Sequence, residues 1–270
     1  MKLITRRPRK FLSDWRLPAP RYEVGYDDSV AHIYYAVKDG RRRILPGVTG
    51  TLDIIAKPAL INWAKKVALE SAKAAIVKRL DGLPEKELLV SEDWVDEIIK
   101  EAKRKPDEIK DQAANVGTRA HALFERVFKG DLPDEVDDDL ATPIDNFLDW
   151  LDSTGLEIVA GDTKVASLEH GYGGSLDGIC RCPMLGTLVL IDYKTSNGIW
   201  PTHALQVAAY QHALNETYGV YCDEAHIVRF DKIKHKFERK QLRNIGMSMS
   251  AFLCAKDLKA LMAEEQYGIG

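Results

Sequence analysis

The sequence predicts an α/β protein with a mixed central β-sheet flanked by helices, and three observations carry that prediction. First, Leu156 to Leu168, Gly173 to Cys182 and Thr187 to Thr195 alternate with period two, separated by turn residues at His170-Gly171 and Pro183-Gly186. Second, a helical stretch from Pro201 to about Tyr218 interrupts the strand series, which resumes at Cys222 to Phe230 and Lys236 to Leu242. Third, beyond Pro46 and up to Leu151 the apolar residues recur at helical spacing, and no internal repeat or low-complexity linker divides the chain.

In chain order, residues 1–20 are basic and broken by Pro8, Pro18 and Pro20, which predicts an irregular arm. Tyr22, Val24 and Tyr26, then Ile33, Tyr35 and Val37, alternate ahead of a Lys38-Asp39-Gly40-Arg41 turn and a basic return strand, a hairpin signal. Thr49 or Thr51 starts a short helix, and Pro58 opens another to about Leu80, with Leu60, Trp63, Ala64, Val67 and Ala68 on one stripe. Ser91 caps a helix carrying Trp94, Val95, Ile98 and Ile99, and Pro106 opens a separate long helix ending near Phe128, with Gly130 as its stop. Ala141 to Leu151 and Met247 to Ala263 are the remaining helices. This divides the chain into an arm and hairpin, residues 1–45, and one domain, residues 46–270, whose N-terminal half is helical.

At 270 residues, 45% hydrophobic and 29% charged, the chain can bury a full core. Cys180, Cys182, Cys222 and Cys254 are too few for a disulfide framework, which points to a reducing cytoplasm. No apolar run reaches the roughly 18 residues of a membrane span, and the basic N-terminus lacks the apolar segment of a secretory signal. The net charge of −3 hides segregation. Residues 1–21 carry seven Lys/Arg against Asp14, and residues 229–243 seven against Asp231 and Glu238, whereas residues 131–152 hold nine acids and no base. Such patches suit phosphate binding, or are ordinary solvated faces.

The chemistry concentrates at Gly171–Tyr210. In Leu188-Val189-Leu190-Ile191-Asp192-Tyr193-Lys194, alternation puts Asp192 and Lys194 on one side of the strand. An apolar strand ending in two charges needs a partner, a metal or a solvated cleft for them. Asp177 is expected to end the neighbouring strand after Gly173-Gly174, so a hairpin closed around Pro183-Gly186 can bring it to Asp192. Upstream, His121 borders the apolar stripe Val116, Ala120, Leu123, Phe124 and Val127, with the small Gly117 one turn before it. Carboxylates with a neutral histidine and a main-chain carbonyl suit Mg²⁺ or Mn²⁺ rather than zinc. An ion pair at a strand end and a satisfied structural histidine are the ordinary alternatives for these spacings taken singly.

Taken together, Gly117-Thr118-x-x-His121, Gly173-Gly174-x-x-Asp177, apolar-Asp192-x-Lys194 and Gln206-x-x-x-Tyr210 resemble the PD-(D/E)XK nuclease superfamily in its RecB-like and Cas4-like branch. The layout is similar to phage exonucleases and to the mitochondrial genome maintenance exonuclease, over roughly residues 46–242. The resemblance implies a restriction-endonuclease-like core with His121, Asp177, Asp192 and the carbonyl of Tyr193 as metal ligands and Lys194 as the catalytic lysine. It further implies that Gln206 and Tyr210 contact the DNA backbone or brace the site. His203, Glu125 and Glu169 are secondary candidates, each with an ordinary surface alternative. Arg41, Arg42 and Arg43, the basic arm and residues 229–243 are expected to hold the strand, with Trp200 first, ahead of Trp15 and Trp63, as a stacking platform.

Two departures stand out. Relatives carry a glutamate on the strand before the Gly-Gly-x-x-Asp motif, where this chain has Lys164, so an extra carboxylate is not expected. No cysteine precedes Cys180, so no iron-sulfur cluster is expected. No GxxxxGK[ST] loop occurs, so any helicase or recombination partner is a separate protein. The reading is a Mg²⁺- or Mn²⁺-dependent deoxyribonuclease, an exonuclease of recombination, repair or phage DNA metabolism. A non-catalytic DNA-binding scaffold and a structure-specific endonuclease are the alternatives.

Overall fold

The computed structural model describes residues 2–3, 12–29, 33–55, 57–81, 91–131, 133, 135–231 and 237–266. The expectations for residues 4–11 of the arm and for residues 232–236 lie outside the described residues. In chain order the elements are β1 (Lys2–Leu3), β2 (Glu23–Asp27), β3 (Ile33–Lys38), β4 (Arg41–Leu45), α1 (Val48–Thr51), α2 (Pro58–Leu80), α3 (Glu92–Phe128) and β5 (Glu135–Val136). They continue as α4 (Asp138–Thr154), β6 (Glu157–Ser167), β7 (Tyr172–Cys182), β8 (Thr187–Lys194), α5 (Pro201–Tyr218), β9 (Glu224–Phe230), β10 (Phe237–Gln241) and α6 (Ile245–Gln266).

The centre is a mixed five-stranded sheet in the order β10-β9-β8-β7-β6. Every pair is antiparallel except β8 with β9, which run parallel from Val189↔Glu224 to Lys194↔Arg229. A parallel pair needs a crossover, and α5 supplies it between these two strands. The continuous apolar run of β8 fits this central place, since a strand covered on both faces has no polar side to show. Leu190 belongs to one buried cluster with Val207, Tyr210, Ala213 and Leu214 of α5, Phe252 of α6, and Val165, Leu176 and Ile227 of the other strands. Tyr193, odd-numbered and hence on the opposite face, meets Phe124 of α3 at 4.8 Å between ring centroids. Phe124 in turn stacks on Phe230 at 4.5 Å and meets Phe147 of α4 edge-on at 5.2 Å.

The expected hairpin is two strands of a three-stranded sheet, β2-β3-β4, because Glu23–Asp27 also pairs with β3. Asp39 at φ 51° and Gly40 at φ 73° form its turn, matching the positive φ values that a two-residue β-turn demands. Tyr22, Ala36 and Leu45 pack on Ala166 of β6 in a small second core.

Two expectations are corrected. The helix at Ser91 and the one opened at Pro106 are a single 37-residue helix, α3, with Pro106 inside it. A proline removes one donor without forbidding continuation, and Arg104 and Lys105 bridge it by pairing with Glu108 at 3.3 and 3.2 Å. Neither threonine starts α1. Gly47 stands at its N-cap without a side-chain bond, and Thr51 Oγ1 instead donates to the Gly47 carbonyl at 3.0 Å.

The chain divides into two compact units, Met1–Ile55 with Ala120–Gly270, and Ala56–Arg119. The smaller one holds α2, none of whose side chains is buried, and the first part of α3, with the Arg79 guanidinium 5.3 Å over the Trp94 ring. Among the described residues no helix is long and apolar enough to cross a membrane. Cys180 and Cys222 are buried, Cys182 is half-buried and Cys254 exposed, all as free thiols.

Candidate active site

The ladder between β7 and β8 runs from Cys182↔Thr187 to Gly178↔Ile191 and goes no further. Beyond that point the amide of Tyr193 donates to Oδ2 of Asp177 at 2.9 Å, so a side-chain carboxylate takes the place of a strand carbonyl. This fixes Asp177 beside Asp192. It also corrects the expectation that Asp177 ends its strand, since β7 continues through it to Cys182. The side chain finds an opening because the strand pairing stops there.

Asp192 is buried to 1% exposure, and its Oδ1 accepts a hydrogen bond from Lys194 Nζ at 2.7 Å. Its Oδ2 is buried with no hydrogen-bond partner. Burial pushes the Asp192 carboxyl up to about 6 against the opposing pull of Lys194, with repulsion from Asp177 adding to the rise. Asp177 is likewise raised to about 6 by burial, opposed by Lys194 and the Tyr193 amide. Burial pulls the Lys194 ammonium down, but Asp192 and Asp177 outweigh it and the net shift is upward. A buried carboxylate and a partly buried one thus share Lys194, with His121 at their edge.

His121 stands on α3 with Nδ1 3.9 Å from Asp177 Oδ1. Its ring lies 4.6 Å from that of Tyr193, whose hydroxyl donates to the His121 carbonyl at 3.3 Å. A pair of carboxylates, one oxygen of which is orphaned in the interior, with an imidazole at their edge, is a donor set that a hard divalent cation fits.

The glycine pair makes room for the rest. A Cβ on Gly173 would lie 2.6 Å from Cβ of Tyr34, and one on Gly174 would lie 2.5 Å from Cε1 of Tyr210. With neither present, Tyr210 packs against β7 and receives a hydrogen bond from Gln206 Nε2 at 2.9 Å, while Gln206 also donates to Thr49 Oγ1 at 3.2 Å. Burial, then the charges of Asp192 and Asp177, push the Tyr210 phenol upward, which marks its closeness to the carboxylates.

Sequence reasoning missed one carboxylate. Asp162 sits on β6 between the pairs Gly161↔Gly178 and Thr163↔Leu176, with a φ of 43°, and its charge contributes to the upward shift of Asp177. The strand before the Gly-Gly motif therefore does bring an acid toward the site, two residues from the lysine position that was expected to lack one. Its Oδ1 accepts hydrogen bonds from Lys164 Nζ and Ser175 Oγ, each at 2.6 Å. Its positive φ is a local backbone feature that strand alternation does not signal.

The remaining candidates are less closely placed. Glu125 is occupied by Lys129, and Glu169 lies in the turn between β6 and β7, ahead of Tyr172. His203 Nδ1 accepts the amide of Trp200 at 3.2 Å, which makes it the cap of α5, and Trp200 is 47% exposed. Arg42 pairs with Asp27 at 3.5 Å and stands over the Tyr35 ring, Arg43 donates to the Leu168 carbonyl at 2.7 Å, and Arg41 is exposed. Trp15 packs against the main core, and Trp63 is half-buried. Arg229, counted with the basic C-terminal stretch, is buried and paired with Glu238 and Asp231 at 2.8 and 3.2 Å, whereas Arg239, Lys240 and Arg243 are exposed.

No family model matches the sequence, and no curated protein matches it. Among solved structures the chain is similar to a protein designated SSO0001, at 11% identity and a TM-score of 0.31, over 68% of this chain and 83% of that one. It is also similar to an alkaline exonuclease, LHK-Exo, from Laribacter hongkongensis, at 14% identity and a TM-score of 0.29, over 56% of this chain and 83% of that one.

Proposed function

We propose that the chain is a divalent-metal-dependent deoxyribonuclease with a PD-(D/E)XK core, acting as an exonuclease in DNA recombination, repair or phage DNA metabolism. The observation that carries this reading is Asp192, buried with one oxygen on Lys194 and the other without a partner, beside the partly buried carboxylate of Asp177. A structural ion pair would satisfy both oxygens, since an unsatisfied buried acceptor costs about 1–3 kcal/mol.

In this reading Asp177, Asp192, His121 and the carbonyl of Tyr193 hold Mg²⁺ or Mn²⁺. Such an ion, when bound, polarises a phosphodiester oxygen and acidifies a water. Lys194, held protonated by its two carboxylate neighbours, offsets charge developing on phosphorus. Gln206 and Tyr210 tie the Thr49 hydroxyl of α1 to the face of α5 around the scissile phosphate. Arg41, Arg239, Lys240 and Arg243 bind flanking phosphates, and Trp200 offers a face on which a base stacks.

End-labelled linear, circular and single-stranded DNA, incubated with the protein and Mg²⁺ or Mn²⁺, test the proposal. Metal-dependent release of nucleotides from linear ends, lost in Asp192→Asn, is expected. Cleavage of closed circles would replace the exonuclease reading with an endonuclease. DNA binding without any metal-dependent cleavage would replace it with a scaffold.

A further inference from the structure

A second set of metal-ligating side chains lies where the turn before β7 meets α5. Glu169, His170 and His212 each bring a ligand atom to within 4.8 Å of the other two. The two imidazole centroids are 4.9 Å apart, and His170 Nε2 is 3.9 Å from Glu169 Oε1.

The surroundings hold these groups in place. Glu216, one turn after His212 on α5, accepts the amides of Leu168 at 2.7 Å and Glu169 at 3.1 Å through Oε1. Ser167 Oγ accepts the amide of His170 at 3.0 Å, and Gly171 closes the turn at φ 68°. The Tyr172 hydroxyl donates to the Ala209 carbonyl at 3.0 Å and lies 3.3 Å from His212 Nδ1. A hydroxyl has one proton, so with it given to Ala209 the oxygen accepts from Nδ1–H, and the lone pair of the ring is left on Nε2. A histidine that donates one ring nitrogen to a fixed acceptor and presents the other is arranged as metal-binding histidines are. Arg43 stands at Gly171, where it donates to the Leu168 carbonyl at 2.7 Å.

We propose that Glu169, His170 and His212 form a second metal site, for Zn²⁺ or a similar late first-row divalent ion, that clips the turn before β7 to α5. Two imidazoles with one carboxylate select such an ion over Mg²⁺, which prefers oxygen throughout, and a water completes the four-coordinate shell. The clip joins the strand carrying Asp177 to the helix carrying Gln206 and Tyr210. It does not depend on whether the chain cuts DNA.

The test uses full-length protein carrying Asp177→Asn and Asp192→Asn, which removes the carboxylate pair that would hold another cation. After metal stripping it is titrated with ZnCl₂ by calorimetry and with CoCl₂ by visible absorption. One zinc per chain and the intense bands of four-coordinate cobalt are expected. Adding His212→Gln or His170→Gln should weaken zinc binding by at least about tenfold and abolish the rise in melting temperature with zinc. His170→Gln, on the turn, serves where His212→Gln does not fold. No zinc bound by the parent, or equal affinity in a folded histidine variant, overturns the proposal.

Discussion

Lys194 Nζ lies 2.7 Å from Oδ1 of Asp192, while Oδ2 of that carboxylate is buried without a partner. The two residues therefore separate in their expected effects. Asp192→Asn keeps the shape, removes the charge, and is expected to lose both cleavage and the Mg²⁺-induced rise in melting temperature. Lys194→Met leaves buried Asp192 and partly buried Asp177 without their cation, so it lowers stability in EDTA but retains, or enlarges, the rise with Mg²⁺. Cleavage should fall by on the order of 10²–10³-fold in either variant. Thermal melts with and without Mg²⁺, beside a nuclease assay, check this, and a Lys194→Met protein insensitive to Mg²⁺ would count against the cation site.

The same carboxylates set a pH dependence. Asp177 and Asp192 are raised from 3.8 to about 6, by burial first. A carboxyl raised in the folded state binds its proton more tightly there than in the unfolded chain. Its stabilising contribution is full below the unfolded value and is lost as pH rises through the folded one. Metal-free protein should therefore lose stability relative to Asp192→Asn between about pH 4 and about pH 6. With Mg²⁺ the trend reverses, because the ion binds the ionised pair. Melting curves of both proteins at several pH values in EDTA and in Mg²⁺ measure it, and parallel curves would refute it.

Much of this arrangement is legible in the sequence for physical reasons. Strand alternation alone puts Asp192 and Lys194 on one face, and Gly171 and Pro183-Gly186 mark the hairpin that brings Asp177 near them. Less legible are features that depend on where pairing fails. Asp177 lies within β7, where the ladder with β6 continues past the last pair with β8 and its side chain takes the Tyr193 amide. Pro106 reads as a helix start, yet the flanking residues continue one helix through it. Asp162 is hidden by an unusual φ, which leaves no trace in composition or period.

Gly174 is a steric requirement that can be measured. Its missing Cβ would lie 2.5 Å from Tyr210 Cε1 and 3.4 Å from Val48 Cγ2. Gly174→Ala should cost about 1–3 kcal/mol and disturb the hydrogen bond from Gln206 to Tyr210. In Tyr210→Ala the added methyl meets space, so the double variant should be less destabilised than the sum of the single ones. Urea unfolding of the four proteins gives the coupling, and strict additivity would show that the two side chains do not compete for one volume.

Asp162 offers the sharpest separation of electrostatics from architecture. Its φ of 43° is tolerated by Asp and Asn and strained for most other residues. Asp162→Asn therefore keeps the backbone and removes the charge, whereas Asp162→Ala adds strain of about 1–3 kcal/mol. Because that charge raises Asp177, its removal should lower the Asp177 pKa and move the acid limb of the cleavage profile to lower pH. Lys164, deprived of its carboxylate, keeps Ser175 Oγ at 3.1 Å, so the local fold should survive in the asparagine variant. A purely structural Asp162 would lower the melting temperature and leave the profile where it was. A site carboxylate does the opposite, shifting the profile with little change in stability, and comparing pH profiles and melts of the two variants tells these cases apart.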